Sequence, residues 1–324
     1  MLDEAEVRSV LSMADAIEAV EAAFREFAAG RAEMPAKLYL GFPQSEGDLR
    51  VMPATLGSEW AGVKVVNSHP RNPGQGLPAV VGTYILASQE TGMPLAILAA
   101  TYLTALRTGA ASAVATRYLA RADAMTVGLV GAGVQAQFQL EAMAEVMNRI
   151  SRTLVWAPAF DRQRRDRLIR ELRTEFPGVE IRGVEEATQA ASAEVICTTT
   201  PSTAPIIPDE ALSPGTHINA VGADGPGKQE LDPATLRRAR VVVDEWVQAR
   251  HGGEINVPLA RGEITEAGIV GSLSDVIAGE VPGRTSDEEI TIFDSTGLAL
   301  EDVAVASLAY RRAREKGIGR YLEW

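Results

Sequence analysis

Cysteine is almost absent: the 324 residues include one, Cys197, which excludes an internal disulfide and fits a reducing, cytoplasmic setting. No activating base is indicated near it, so its expected role is packing at a strand end rather than nucleophilic attack. Histidine is scarce as well. His69, His217 and His251 lie far apart with no cysteine or carboxylate at ligand spacing, so no metal centre is expected. Basic charge is in deficit, with 31 Lys and Arg against 43 Asp and Glu and a net charge of -12, which argues against nucleic acid or an anionic membrane surface as partner. A few local arginines can still bind a small anion against that background. No apolar run is long and clean enough to span a bilayer. No signal peptide is expected either, because Asp3, Glu4 and Glu6 stand where a basic n-region would be. What is present is apolar material, 46% of the sequence, over a length that suggests two domains.

The organising stretch is Met125 to Ala136, MTVGLVGAGVQA. Its first residues suit a buried strand, and Gly131, Gly133 and Ala136 follow at the G-x-G-x-x-[GA] spacing of a dinucleotide-binding turn. Gln135, Phe138, Gln139, Met143 and Met147 then lie in a run free of glycine and proline, so the turn opens onto a helix. The unpaired N–H groups and positive dipole end of such a helix can hold a pyrophosphate. Gly131 would allow the tight turn, Gly133 would let phosphate approach the backbone, and Ala136 would let helix and strand pack closely.

Before that turn, Met13 to Ala29 has helical apolar spacing through Ile17, Val20, Phe24 and Phe27. Short β-like segments follow at Lys37–Leu40, Asp48–Ala54, Gly62–Val66, Val80–Ala87 and Leu95–Ala100, separated by turn residues, which predicts an antiparallel sheet in an α+β domain. Thr101–Arg121 reads as a long helix of small residues leading into the glycine-rich strand. Beyond it, strands at Thr153–Ala157, Val179–Arg182, Glu194–Thr198, Thr216–Gly222, Arg240–Asp244 and Glu289–Phe293 alternate with helices at Asp161–Glu175, Glu185–Ala191 and Asp232–Ala239. That alternation predicts an α/β fold with a doubly wound, mostly parallel sheet. The final helix, Thr296–Lys316, could return to the first domain, making it discontinuous: residues 1–120 with 297–324, around a nucleotide domain at 121–296.

Three basic residues could hold a substrate against a cofactor: Arg50, Lys64 and Arg107. A guanidinium matches a carboxylate with two parallel hydrogen bonds, and Arg107 sits in the small-residue helix LTALRTGAAS, where burial demands a partner. That partner could equally be a structural carboxylate. Asp224, in VGADGPGK just past a predicted strand, stands where α/β enzymes place acid–base groups, although an Asx-turn acid would look the same. Lys228 could complete an anion contact from that loop, and Asp294 and Ser295 in FDSTG follow another strand. The second strand of the nucleotide domain ends in Ala157 and Pro158 rather than in an acid that would read the ribose of NAD. Arg162, Arg164 and Arg165 could neutralise the 2′-phosphate of NADP or simply form a solvated helix face, and Asp161 is expected to cap that helix.

The segments RVMPA, VKVVNSHPRNP, LTALRTGAAS, GLVGAGVQAQFQ, NAVGADGPGKQEL, HGGEIN and ITIFDSTGLALEDVAVA, in that order, resemble the ornithine cyclodeaminase and mu-crystallin family, nearest its archaeal-type alanine dehydrogenase branch. The resemblance runs from about the first helix to the last. It implies a homodimer built from the discontinuous domain, a Rossmann domain holding NAD or NADP, and a small amino-acid or 2-oxo-acid substrate between the domains. Carried onto matching positions, it implies that Arg50 and Lys64 bind the substrate carboxylate, Lys64 also polarises the reacting centre, and Asp224 is the general acid or base. Arg107 and Thr108 would contact cofactor phosphate or substrate, with Thr296 also at the substrate. Gly131, Gly133, Val134, Gln135, Thr198, Val221, Lys228 and Ser295 would line the cofactor. Ala79 stands where the family often has threonine, removing one polar contact, and Ala157 with Pro158 replaces the usual ribose reader. The implied activity is oxidation of L-alanine to pyruvate with NAD(P)+. Reduction of a cyclic imine such as pyrroline-2-carboxylate and cyclodeamination of ornithine need the same residues. A binding protein for NADPH and small ligands is the non-enzymatic alternative, against which the retention of Lys64 and Asp224 argues.

Overall fold

The structure, a computed structural model, describes residues 1–322. The chain divides into two compact units, Met1–Arg107 with the chain from Leu298 onward, and Thr108–Gly297. The first unit begins with α1 (Glu4–Val10), closed by a capping box in which Asp3 and Glu6 each accept the other's backbone N–H, and α2 (Met13–Ala28), capped by Ser12. Strands β1 (Ala32–Glu33), β2 (Leu38–Phe42), β3 (Gly47–Leu56), β4 (Trp60–Ser68), β5 (Val80–Ser88) and β6 (Pro94–Ala99) form the predicted antiparallel sheet, in the order β1-β3-β4-β5-β6 with β2 also on β3. The chain then enters α3 (Thr101–Leu119).

Because strand side chains alternate, register decides which face each residue joins. Met52 pairs with Lys64, and Lys64 with Tyr84, so these buried residues share the inner face. The last helix, α11 (Ala299–Lys316), packs against β3, β4 and α2 in this unit. The opposite face carries Leu38, Val51, Val63, Val65 and Ile85, apolar yet only partly buried or exposed.

The boundary between the units falls inside α3, not at its end. Physically, the end of α3 is bonded within the second unit: Thr116 Oγ1 accepts from Asn219 Nδ2 at 3.0 Å, and the Leu119 carbonyl accepts from Thr291 Oγ1 at 2.7 Å and from Arg284 Nε at 2.8 Å.

In the second unit the elements run β7 (Thr126–Val130), α4 (Val134–Val146), β8 (Arg152–Trp156), α5 (Arg162–Glu175), β9 (Glu180–Gly183), α6 (Ala187–Ala190), β10 (Val195–Thr198), β11 (Thr203–Ile207), β12 (His217–Ala220), β13 (Gln229–Leu231), α7 (Pro233–Arg238), β14 (Arg240–Val243), α8 (Trp246–Gly252), α9 (Asn256–Ala260), β15 (Ile269–Ser272), α10 (Leu273–Ala278) and β16 (Thr291–Asp294). Eight strands form a parallel sheet in the order β15-β14-β16-β12-β10-β7-β8-β9. The α/β class and doubly wound sheet are therefore as the alternation predicts. The order reverses at β7, which has β8 on one side and β10 on the other, and ligands of such sheets bind at the carboxyl ends there. Strands β10, β12 and β16 are buried at every residue, as central parallel strands must be.

Several short elements, among them β11, β13, β15 and α8–α10, have no counterpart in the sequence prediction. Runs of this length are too short for periodicity to register, and Gly252, Gly253 and Pro258 interrupt the α8–α9 region. Asp161 corrects a prediction. It precedes α5, but its side chain makes no capping hydrogen bond, because residues 159–161 form a 3₁₀ turn that holds its backbone at φ -103, ψ 11. A capping residue needs extended backbone to aim its oxygen at the helix N–H groups. Cys197 lies inside β10, and burial pushes its thiol up to about 12, so it packs and does not react.

Candidate active site

Lys64 is fully buried on the inner face of β4, and its Nζ donates to Asp302 Oδ1 at 2.7 Å. From α3, Arg107 Nη1 donates to Glu301 Oε2 at 2.7 Å, and Arg107 Nε lies 2.9 Å from an Asp302 carboxylate oxygen. Two cations and two anions thus balance in an apolar interior. Burial and the Arg107 charge push Lys64 down from 10.5 to about 7, only partly offset by Asp302 and Glu301. Tyr84, facing Lys64 across the ladder, has a buried hydroxyl without a partner among the described residues, and burial raises its pKa well above 10.0. Arg50 points from the same face of the neighbouring strand and grips Asp48 with Nε and Nη2, each at 3.0 Å.

The option of a structural carboxylate partner for Arg107 is therefore what the structure shows. Glu301 and Asp302 went unrecognised in the sequence. Their signal was available: two adjacent acids in GLALEDVAVA, a segment with no polar face for them to occupy.

The second unit gathers the other candidates at the carboxyl edge of its sheet. Gly131 has φ +120, and a methyl group there would lie 2.5 Å from Thr199 Oγ1, so only glycine fits the turn. At Gly133 a methyl would meet only Arg164 Nη2, at 3.8 Å, leaving the backbone approachable. Ala136, in the first turn of α4, is fully buried, as close helix–strand packing requires. Val134, the first residue of α4, is 60% exposed. Gln135 Oε1 and Ser295 Oγ are buried without a partner among the described residues. Thr108 is buried in α3. An open glycine, the free N–H groups of a long helix and two orphaned acceptors or donors are what a bound dinucleotide would use.

Other predicted residues are already engaged. The Thr198 hydroxyl donates to Glu230 Oε2 at 2.6 Å. Val221 is buried, with its N–H on the Thr198 carbonyl. Thr296 donates both its N–H and its hydroxyl to Asp244 Oδ2, at 2.6 and 3.0 Å. Lys228 pairs with Asp224, both side chains part-exposed at 27% and 35%. Of the three arginines in the first turn of α5, Arg162 pairs with Glu185 and Arg165 bonds the Val184 carbonyl, while Arg164 reaches the glycine turn. Among the described residues no group of His, Cys, Asp or Glu is arranged to hold a metal ion, and no helix is long and apolar enough to cross a membrane.

The profile of the ornithine cyclodeaminase/mu-crystallin family matches residues 1–317. The chain belongs to this family. Family relatives span its full length. An alanine dehydrogenase of Archaeoglobus fulgidus is 48% identical over 100% of this chain and 98% of its own. A solved archaeal alanine dehydrogenase dimer with bound NAD superposes with a TM-score of 0.94 at 47% identity, covering 100% of this chain and 98% of that one. The Thermococcus litoralis Δ(1)-pyrroline-2-carboxylate reductase, solved with NADH and L-proline, gives a TM-score of 0.95 at 38% identity, covering 99% of each chain. Family membership thus agrees with the resemblance carried by the sequence motifs. It makes the chain kin to oxidoreductases that share one scaffold and differ in substrate.

Proposed function

We propose that this protein is an NAD-dependent amino-acid dehydrogenase that converts L-alanine, water and NAD+ to pyruvate, ammonium, NADH and a proton. The observation that carries this reading is Lys64, a fully buried lysine whose pKa of about 7 lets it give or take a proton at neutral pH. The 48% identity to an alanine dehydrogenase supports the choice of substrate. Arg50, on the same sheet face as Lys64, would exchange Asp48 for the substrate carboxylate, which its planar fork fits. When bound, the nicotinamide supplies the hydride acceptor. Lys64 would polarise the nitrogen or oxygen on the reacting carbon, and Asp224 would take the amine proton or activate water. Fixing the α-carbon by its carboxylate can contribute several kcal/mol, on the order expected for orientation effects.

The test follows nicotinamide absorbance with L-alanine and NAD+ or NADP+, then with pyruvate, ammonium and the reduced cofactors. Reversible turnover of alanine and pyruvate is the expected result. The likeness to a pyrroline-2-carboxylate reductase supports a second reading. Reduction of cyclic imines without alanine turnover would establish that one instead, and proline formed from ornithine without net absorbance change would mark a cyclodeaminase.

We further propose that the protein works as a homodimer, joined through the apolar outer face of the antiparallel sheet. Isolated exposed apolar residues are ordinary, but a sheet face made of Leu38, Val51, Val63, Val65 and Ile85 is not. Val63→Glu is expected to weaken association by at least about a hundredfold, since each copy would bury an unpaired charge. Sedimentation velocity across a concentration series checks this, and an undiminished dimer would place the interface elsewhere.

A further inference from the structure

Glutamates clasp both ends of the central strands in the parallel sheet. At the amino edge, Glu194, just before β10, accepts from the Met125 and Thr126 N–H groups and the Thr126 hydroxyl at 2.9, 3.1 and 2.9 Å. At the carboxyl edge, Glu230 on β13 is fully buried and takes four hydrogen bonds. They come from Thr198 Oγ1 at 2.6 Å, Thr200 N and Oγ1 at 2.7 Å each, and Gly222 N at 2.9 Å.

Those donors are at the point where the strand order reverses. Thr198 ends β10 beside β7, and Thr199, the next residue, fills the space against Gly131, its N–H bonded to the Val130 carbonyl at 2.8 Å. They therefore form the wall facing the glycine turn. Gly222 begins the loop that carries Asp224, and a methyl group on it would lie 2.5 Å from Glu230 Oε2, so the loop is seated directly on this carboxylate. Only a carboxylate offers acceptors to all four donors. A glutamine in either orientation would turn its N–H₂ group toward one backbone N–H, of Thr200 or of Gly222, and the hydroxyl that shares that oxygen.

We propose that Glu230 is a positioning residue for the nicotinamide cofactor: without touching it, the carboxylate holds the 198–200 wall and the 222–224 loop at the spacing cofactor binding requires. This rests on the reading of the crevice as a cofactor site. The experiment titrates NADH fluorescence with the full-length protein, measuring Kd and Tm for wild type, Glu230→Gln, Thr200→Val and Glu194→Gln. Glu230→Gln is expected to raise the NADH Kd at least about tenfold at a temperature where it is folded. Thr200→Val, which removes one of the hydroxyl donors and leaves the backbone bond, is expected to raise it about threefold and keeps the test open if the glutamine variant does not fold. Glu194→Gln breaks the equivalent clasp at the far edge, so it should lower Tm and leave Kd unchanged. A lowered Tm with wild-type Kd in both Glu230→Gln and Thr200→Val would overturn the proposal and leave Glu230 a structural residue. Equal rises in Kd for the Glu194 variant would do the same. Absence of NADH binding by wild type would instead defeat the cofactor reading itself.

Discussion

Asp224→Asn is expected to lower kcat by about a hundredfold to ten-thousandfold, the range for loss of a general acid or base, while NADH binding changes little. The substitution keeps size and shape while removing the negative charge and, with it, the capacity to exchange a proton. Its cost to the fold should be small, because the pair it breaks with Lys228 is part-exposed, and such pairs are worth about 1 kcal/mol or less. A rise in KM with kcat unchanged would assign Asp224 to binding. An unchanged rate would leave it as a loop acid, the Asx-turn alternative that the sequence also allows. Stopped-flow measurement of the hydride step beside steady-state kcat separates chemistry from product release.

The second large effect is a pH dependence centred on Lys64. In the reductive direction the ammonium form is the one that can donate to the substrate, so kcat/KM should fall as pH rises through about 7. In the oxidative direction the neutral amine is required, so the limb reverses and activity rises through the same value. Lys64→Met should remove the limb and lower the rate by about a thousandfold. Asp302 is the carboxylate bonded to the lysine and does more than Glu301 to favour its charged form, so Asp302→Asn should shift the limb to lower pH. A limb that stays in place would assign it to another group. Linkage has the same origin. Because folding lowers the lysine from 10.5 to about 7, its burial penalty is complete below about 7 and is relieved as pH climbs toward 10.5. This group alone should therefore make stability rise across that window, measurable as Tm against pH.

Sequence patterns were most informative where the physics is local. The G-x-G-x-x-A spacing, an extended buried strand before it and an uninterrupted helix after it describe one continuous piece of chain, and the observed φ of +120 at Gly131 follows from it. The antiparallel segments were legible because alternation and turn residues are likewise local. Less legible were α8, α9 and β13, each too short to carry a period. Asp161 shows how a local rule fails: the residue type suits a cap, but a 3₁₀ turn gives the backbone another conformation. Thr198 and Thr296 show another limit. Both hydroxyls bond to buried carboxylates, Glu230 and Asp244, which the residues' own neighbourhood in the chain does not reveal.

By itself the sequence determined the α/β class, the dinucleotide turn, the antiparallel domain, and the family, since each is written in contiguous patterns of residue type. Only the tertiary structure decided the chemical state of the candidate catalytic lysine. Asp302 is 238 residues from Lys64, and Glu301 is 194 from Arg107. Desolvation and the field of opposing charges set a proton's affinity, and both are properties of what surrounds a group in space. No local pattern around VKVVN could show that its lysine is dry, paired and poised near neutrality.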